Sequence, residues 1–215
     1  MLIVSVGSDC ATKKRVEEHH YKKSTVSHMF DWVLSDFDSV SQIFENSIIN
    51  FDTFSSENFQ IMTKTQENKY AISHKFLNFV SLHDASIELS ENDAIKVVSD
   101  KYKRRLKRFI ELIKNNDEIF FIGTFDNYNP IQYGNMEITN KSIERFFRMI
   151  HTFNPLNNHK LIIISNNTSN ISITNPRLLV INSNDYITMK SFEIDWYRFF
   201  LDWDEIFKRV YSFAN

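Results

Sequence analysis

A single cysteine, Cys10, occurs in the 215 residues, so no internal disulfide can form, and a free thiol is expected in a reducing compartment. Glycine and proline appear three times each. Gly7, Gly123 and Gly134 therefore stand out, each falling at or near an expected strand end where unusual backbone angles or close approach are needed. Neither sign of charge dominates: 25 Lys and Arg against 27 Asp and Glu give a net charge of -2. That balance excludes a general nucleic-acid binder, which needs a clear excess of cations. No apolar run approaches the ~20 residues of a bilayer span. The apolar start Met1 to Val6 is one strand long and has no basic segment before it, unlike a secretory signal. A cytoplasmic chain with no membrane span is expected. The GxGxxG and GxxxxGK patterns are missing, as are Cys and His pairs at zinc spacing, so neither a dinucleotide, a Walker-type nucleotide nor a metal is expected.

The chain has a globular composition, with 42% hydrophobic and 24% charged residues. Its length suits one α/β domain over residues 1–215. Leu2 to Val6 reads as a buried strand, and Gly7-Ser8-Asp9 supplies a turn and capping residues before a helix over Cys10 to Glu18. A helix running to Ile49 is capped by Asp36 or Asp38. Residues 51 to 80 give no clear pattern: Tyr70 to Ser73 fits a strand or a loop, and Phe79 to Leu82 is compatible with a strand. Ser90 caps a helix through Tyr102 and Phe109 to Ile113. Strands at Glu118 to Ile122, Leu161 to Ile164 and Leu178 to Ile181 alternate with helices at Thr139 to Phe153 and Glu193 to Tyr211. Continuous apolar strands alternating with helices predict a mostly parallel, Rossmann-like sheet with helices on both faces. The carboxyl ends of its strands would then gather Gly7 to Cys10, Gly123 to Asn127, Ser165 to Asn167 and Asn182 to Asp185 around one crevice.

Cys10 falls where a strand meets a helix, and the free N–H groups and dipole of a helix start favour a thiolate and can hold an oxyanion. A packed structural thiol is the competing role. A thiol nucleophile needs a base. Among seven histidines, His83 and His74 each end a stretch compatible with a strand, whereas His19 and His20 sit in a Lys- and Glu-rich stretch of solvated character. Asp31, between Phe30 and Trp32, needs hydrogen bonds if buried, and so suits either orienting a histidine or capping a turn. In the helix through Tyr102, Arg104 and Arg108 share a face and Arg105 lies about 100° away. An arginine there serves solvation or docks a phosphate or carboxylate.

Taken together, Ser5-Val6-Gly7-Ser8-Asp9-Cys10, Phe30-Asp31-Trp32, His83-Asp84 and Tyr102 to Phe109 resemble the DUF1796 family of papain-like cysteine peptidases in order and rough spacing. The resemblance covers roughly the first half of the chain. It implies Cys10 as nucleophile and His83 as its histidine, with Asp31 or Asp84 as orienting acid. The strand–Cys–helix start is also similar in architecture to capsule-biosynthesis acetyltransferases.

The expected function is a cysteine-dependent acyl-group enzyme, with Cys10, His83 and Asp31 as catalytic residues. Ser8, Asp9, Arg104 and Arg105 are the expected substrate contacts. Peptidase or esterase action and acyl transfer, for example to a surface glycan, differ only in the acceptor. Coenzyme A is a compatible acyl donor, and no other cofactor is expected. The substrate is a small molecule, glycan or peptide. A non-catalytic ligand-binding domain is the alternative class. The aromatic closing helix, with Trp196, Phe199, Phe200, Trp203 and Phe207, should be buried against the sheet or against a second copy of the chain.

Overall fold

The structure is a computed structural model that describes residues 1–7, 10–19, 28–31, 33–49, 52–125, 138–188 and 201–214, with the backbone alone at Cys10, Ala11 and His19. Two four-stranded sheets form its frame. The first contains β1 (Ile3–Ser5), β6 (Phe120–Thr124), β7 (Lys160–Ser165) and β8 (Leu178–Asn182), in that spatial order. All its pairings are parallel, as expected from these apolar runs. The second contains β2 (Val33–Ser35), β3 (Phe59–Lys64), β4 (Lys69–His74) and β5 (Phe79–Ser86), in the order β2-β5-β4-β3. Among the described residues five α-helices accompany them: α1 (Cys10–His19), α2 (Phe37–Ile48), α3 (Glu91–Lys114), α4 (Asn140–Phe153) and α5 (Trp203–Ala214).

Alternate residues of the parallel sheet enter two separate cores, because successive side chains of a strand point to opposite faces. Val4, Phe121, Leu161 and Ile163 join Phe44 of α2, Phe109 of α3 and Phe146 of α4. Ile3, Phe120, Ile122, Ile162 and Ile164 instead meet Val16 of α1 and Trp203, Ile206 and Phe207 of α5. Helices thus cover both faces. Asp36 caps α2 by accepting from Ser39 N, Ser90 caps α3, and Thr139 with Ser142 forms a capping box on α4.

The expectation of a mostly parallel, Rossmann-like sheet holds for only one of the two sheets. Every pairing in the second sheet is antiparallel. The physical reason lies in its connections: β3 reaches β4, and β4 reaches β5, through short turns at 65–68 and 75–78. A parallel crossover needs a dozen or more residues, so such turns can join only antiparallel neighbours. Asn68, at φ 55, supplies the left-handed residue that closes the first turn.

The closing helix α5 runs from Trp203 to Ala214, after Leu201 makes an isolated bridge to Ile187; the expected start at Glu193 lies outside the described residues. Trp203 and Phe207 are buried against the sheet, as expected. Trp196, Phe199 and Phe200 lie outside the described residues.

Candidate active site

Cys10 is the first residue of α1, just beyond the carboxyl end of β1. The turn between them needs Gly7, whose φ is +84 and at which a Cβ would lie 2.8 Å from Ser35 Oγ and 3.1 Å from Val40 Cγ2. Both the backbone angle and the lack of space exclude a side chain. Ser35 is 1% exposed, and its hydroxyl has no hydrogen-bond partner among the described residues. Ser8 and Asp9 lie outside the described residues.

The carboxyl edge of the parallel sheet is laced together by short polar contacts. Thr12 of α1 shares a 2.6 Å hydroxyl contact with Thr124 at the end of β6. Ser165, ending β7, donates to the Phe125 carbonyl at 2.6 Å and accepts from Asn167 N at 3.2 Å. Asn184, after β8, donates to the Asn166 carbonyl at 3.4 Å. The strand ends named from the sequence therefore do gather along one edge. Asp126 and Asn127 lie outside the described residues.

Beside this edge Asp31 is completely buried, and its carboxylate is well supplied with donors. Ser5 Oγ of β1 donates to Oδ1 at 2.6 Å, and the His28 backbone N–H donates to Oδ2 at 2.6 Å. Lys13 Nζ of α1 lies 3.1 Å from Oδ2 and 3.3 Å from Glu17 Oε1. Lys13 follows Cys10 by three residues, so it stands one helical turn further along the same side of α1. Asp31 thereby ties the strand before Cys10 to the helix that begins with it.

The histidines are held in different ways. His83, on β5, is exposed, and its Nδ1 lies 2.8 Å from Glu67 Oε2. The pairing of β2 with β5, Val33 opposite Ser81, runs toward His83 on one strand and toward Asp31 on the other. Asp84, the next residue, turns the opposite way: its side chain is 4% exposed and contacts Lys101, Ser81 Oγ and the Tyr102 hydroxyl. An irregularity in the β4–β5 pairing lies between Ser81 and Ala85 and accompanies this reversal. Burial pushes the Asp84 pKa up, but the bonds from Lys101, Tyr102 and Ser81 outweigh it and hold the carboxyl below its usual value. His74 is buried with both ring nitrogens engaged. Its Nδ1 accepts from Phe76 N and Leu77 N, which leaves Nε2 to donate to the Thr53 carbonyl at 2.8 Å. That pattern is a structural lock on the turn after β4.

His28 is half-buried, its ring edge-on to Phe109. Burial lowers its pKa. The charge of Asp31 opposes this, and those of Lys13, Arg108 and Arg105 reinforce it. The arginines of α3 divide as their spacing predicts, with Arg104 and Arg108 exposed and Arg105 only 4% exposed.

Sequence reasoning missed Lys13, Ser5 and His28. Lys13 lies in a charged stretch of solvated character, and nothing local marks it as buried. The one available signal was the three-residue spacing of His28 from Asp31 and of Lys13 from Cys10. A groove of about 290 Å³ between α2 and α3 is lined by Asp52, Thr53, Lys103, Leu106 and Glu111 among others. It includes neither Cys10 nor a histidine.

Residues 1–185 match the family described as "Putative papain-like cysteine peptidase (DUF1796)". No curated protein and no solved structure matches the chain.

Proposed function

Since the chain belongs to the DUF1796 family, we propose that it is a cysteine-dependent acyl-group enzyme whose nucleophile is Cys10. The observation that carries this reading is the placement of Cys10 as the first residue of α1, at the carboxyl edge of the parallel sheet. The buried Asp31–Lys13 pair stands one helical turn along.

In this reading His83 takes the Cys10 proton. The thiolate attacks a carbonyl carbon of an ester, thioester or amide, and free N–H groups at the start of α1 hold the resulting oxyanion. The leaving group departs with the proton from the histidine, which gives an acyl-enzyme. Water or an acceptor hydroxyl or amine then gives up a proton to the histidine, attacks the acyl carbon, and frees the thiol. Asp31 ties β1 to α1 through Ser5 and Lys13 and in this reading is the acid that orients the histidine. Ser8, Asp9, Arg104 and Arg105 are the substrate contacts. A peptide is the substrate most in keeping with the family, and acyl transfer from a donor such as coenzyme A to a glycan follows from the same chemistry.

Alkylation of Cys10 by iodoacetamide as a function of pH tests the reading. An activated thiol reacts well below its reference pKa of ~8.5, and His83→Ala moves the profile back toward that value. A thiol that reacts like a free model thiol in both proteins rejects the assignment and favours a non-catalytic binding domain.

A further inference from the structure

Arg105 is 4% exposed and among the described residues makes one hydrogen bond, from Nη1 to the Tyr102 hydroxyl oxygen at 3.3 Å, with its guanidinium carbon 5.2 Å from the centre of the same ring. No carboxylate among the described residues lies within 4.0 Å of it. The contrast with other cations in the protein is sharp. Lys13, equally buried, has Asp31 and Glu17; Lys101 has Asp84; Arg145, on α4, has Asp38 and Glu45. The Tyr102 hydroxyl spends its proton on Asp84 at 2.6 Å and so offers Arg105 only a neutral oxygen. Asp84 is in turn neutralised by Lys101. A buried guanidinium with one long bond to a neutral partner is costly unless an anion completes it.

The surroundings of Arg105 carry the same sign. Arg105 and Phe109 are four residues apart on one side of α3, and the His28 ring packs against Phe109. The charges of Lys13, Arg105 and Arg108 all act on His28, with Asp31 as the one opposing carboxylate. Asp31 is itself engaged by Lys13.

We propose that Arg105, on the inner side of α3 one turn before Phe109, is the anchor of an oxyanion subsite that receives a phosphate or carboxylate group of the substrate. The planar fork of a guanidinium pairs bidentately with either group. Arg104, exposed on another side of the helix, contacts the substrate outside this subsite. The subsite rests on the reading of Cys10 as nucleophile only for what the bound molecule does next. The anchoring of the anion is independent of it. A phosphate-bearing ligand accords with an acyl donor, and a carboxylate-bearing one with a peptide end.

The test uses the full chain with inorganic phosphate and, separately, acetate as probes, each against chloride at matched ionic strength. Calorimetric titration and thermal melting are the readouts. At least one probe binds the wild type and raises its melting temperature, and the probe that binds more tightly tells phosphate from carboxylate. Lys96→Gln, at an exposed position near the start of α3, leaves binding unchanged. Arg105→Met weakens it at least about tenfold, the loss of a charged hydrogen bond, and in chloride melts no lower than wild type, because a buried charge without a partner has been removed. Arg105→Lys, which keeps the charge and loses the fork, retains the fold and binds more weakly than wild type. The proposal is overturned if neither probe binds, if Arg105→Met binds as wild type does, or if that variant unfolds in chloride while Arg105→Lys binds the anion undiminished. Cys10→Ser separates the two readings. It keeps anion binding whether or not the thiol is a nucleophile, so an inert Cys10 beside intact binding rejects only the reaction, and absent binding beside a reactive Cys10 rejects only the subsite.

Discussion

Lys13 and Asp31 meet as a buried ion pair, Nζ to Oδ2 at 3.1 Å, with side chains 6% and 0% exposed. The pair joins α1 to the segment ahead of β2, and Ser5 and the His28 N–H complete the carboxylate from two further directions. Breaking such a pair on one side strands a charge away from water, whereas replacing both partners with apolar groups of similar size does not. Asp31→Ala is therefore expected to cost about 3–5 kcal/mol. A Lys13→Met/Asp31→Leu double variant should recover much of that loss. Urea unfolding midpoints check both. Equal losses in the single and double variants would mean that the ion pair is not what Asp31 contributes.

At Gly7 two penalties add. The positive φ is strained for any L side chain, and the Ser35 hydroxyl occupies the place of a Cβ. Gly7→Ala is expected to destabilise by about 1–3 kcal/mol from the backbone alone, with a further loss from the clash. Pairing it with Ser35→Gly opens the space but leaves the backbone angle, so the double variant should regain only part of the stability. Full recovery would show that the clash accounts for the whole cost.

The parallel half of the fold was legible because β6, β7 and β8 are continuous apolar runs and their helices carry clear caps at Ser90 and Thr139. The antiparallel half was obscured because β3 is only a half-covered strand: in Phe59–Lys64 the first residue is buried and the last three are exposed. Such a strand gives no apolar run to count, and the Asn and Thr of its turn read equally well as loop. Of the candidate site, the sequence made legible the place of Cys10 at a helix start after a strand and the need of Asp31, between aromatics, for hydrogen bonds. Lys13 and Arg105 were not legible as buried groups, since each lies in a run of charges whose usual place is the surface. Only the packing of α1 and α3 decides which member of the run turns inward.

Acid should weaken the fold before the ordinary carboxylates titrate. Burial lowers the pKa of His28, His74 and His159 below the usual histidine value of 6.5. Above that value each is neutral in both folded and unfolded chains and contributes nothing. As pH falls below it, the unfolded chain takes up protons first and stability drops. Asp84, with its pKa below the usual 3.8, contributes stability above that value which is lost as pH falls through the lower folded pKa. Urea midpoints should accordingly fall between about pH 7 and pH 5, and His74→Asn should flatten that slope. A midpoint constant over this range would show that the buried histidines are protonated as readily as free ones.

His83 and Asp84 are neighbours in sequence with opposite surroundings, and their substitutions should separate function from folding. His83 meets Glu67 at the surface, with side chains 38% and 66% exposed, and exposed pairs of this kind contribute no more than about 1 kcal/mol. His83→Ala should leave the urea midpoint almost unchanged. Asp84 is the shared acceptor of Lys101, Tyr102 and Ser81. Asp84→Ala leaves the half-buried Lys101 ammonium and the buried Tyr102 hydroxyl without this acceptor, for a loss on the order of 1–3 kcal/mol. If His83 is the base for Cys10, His83→Ala lowers the alkylation rate of Cys10 at neutral pH and abolishes acyl-group activity in a protein as stable as wild type. If it is only a surface residue, stability and alkylation are both untouched. Asp84 variants cannot make this distinction, because they disturb the packing of β5 on α3 before any chemistry is measured. His83→Gln therefore serves as the companion to His83→Ala: it keeps a hydrogen bond to Glu67 and cannot take up a proton, so equal loss of thiol activation in the two variants assigns the effect to proton transfer.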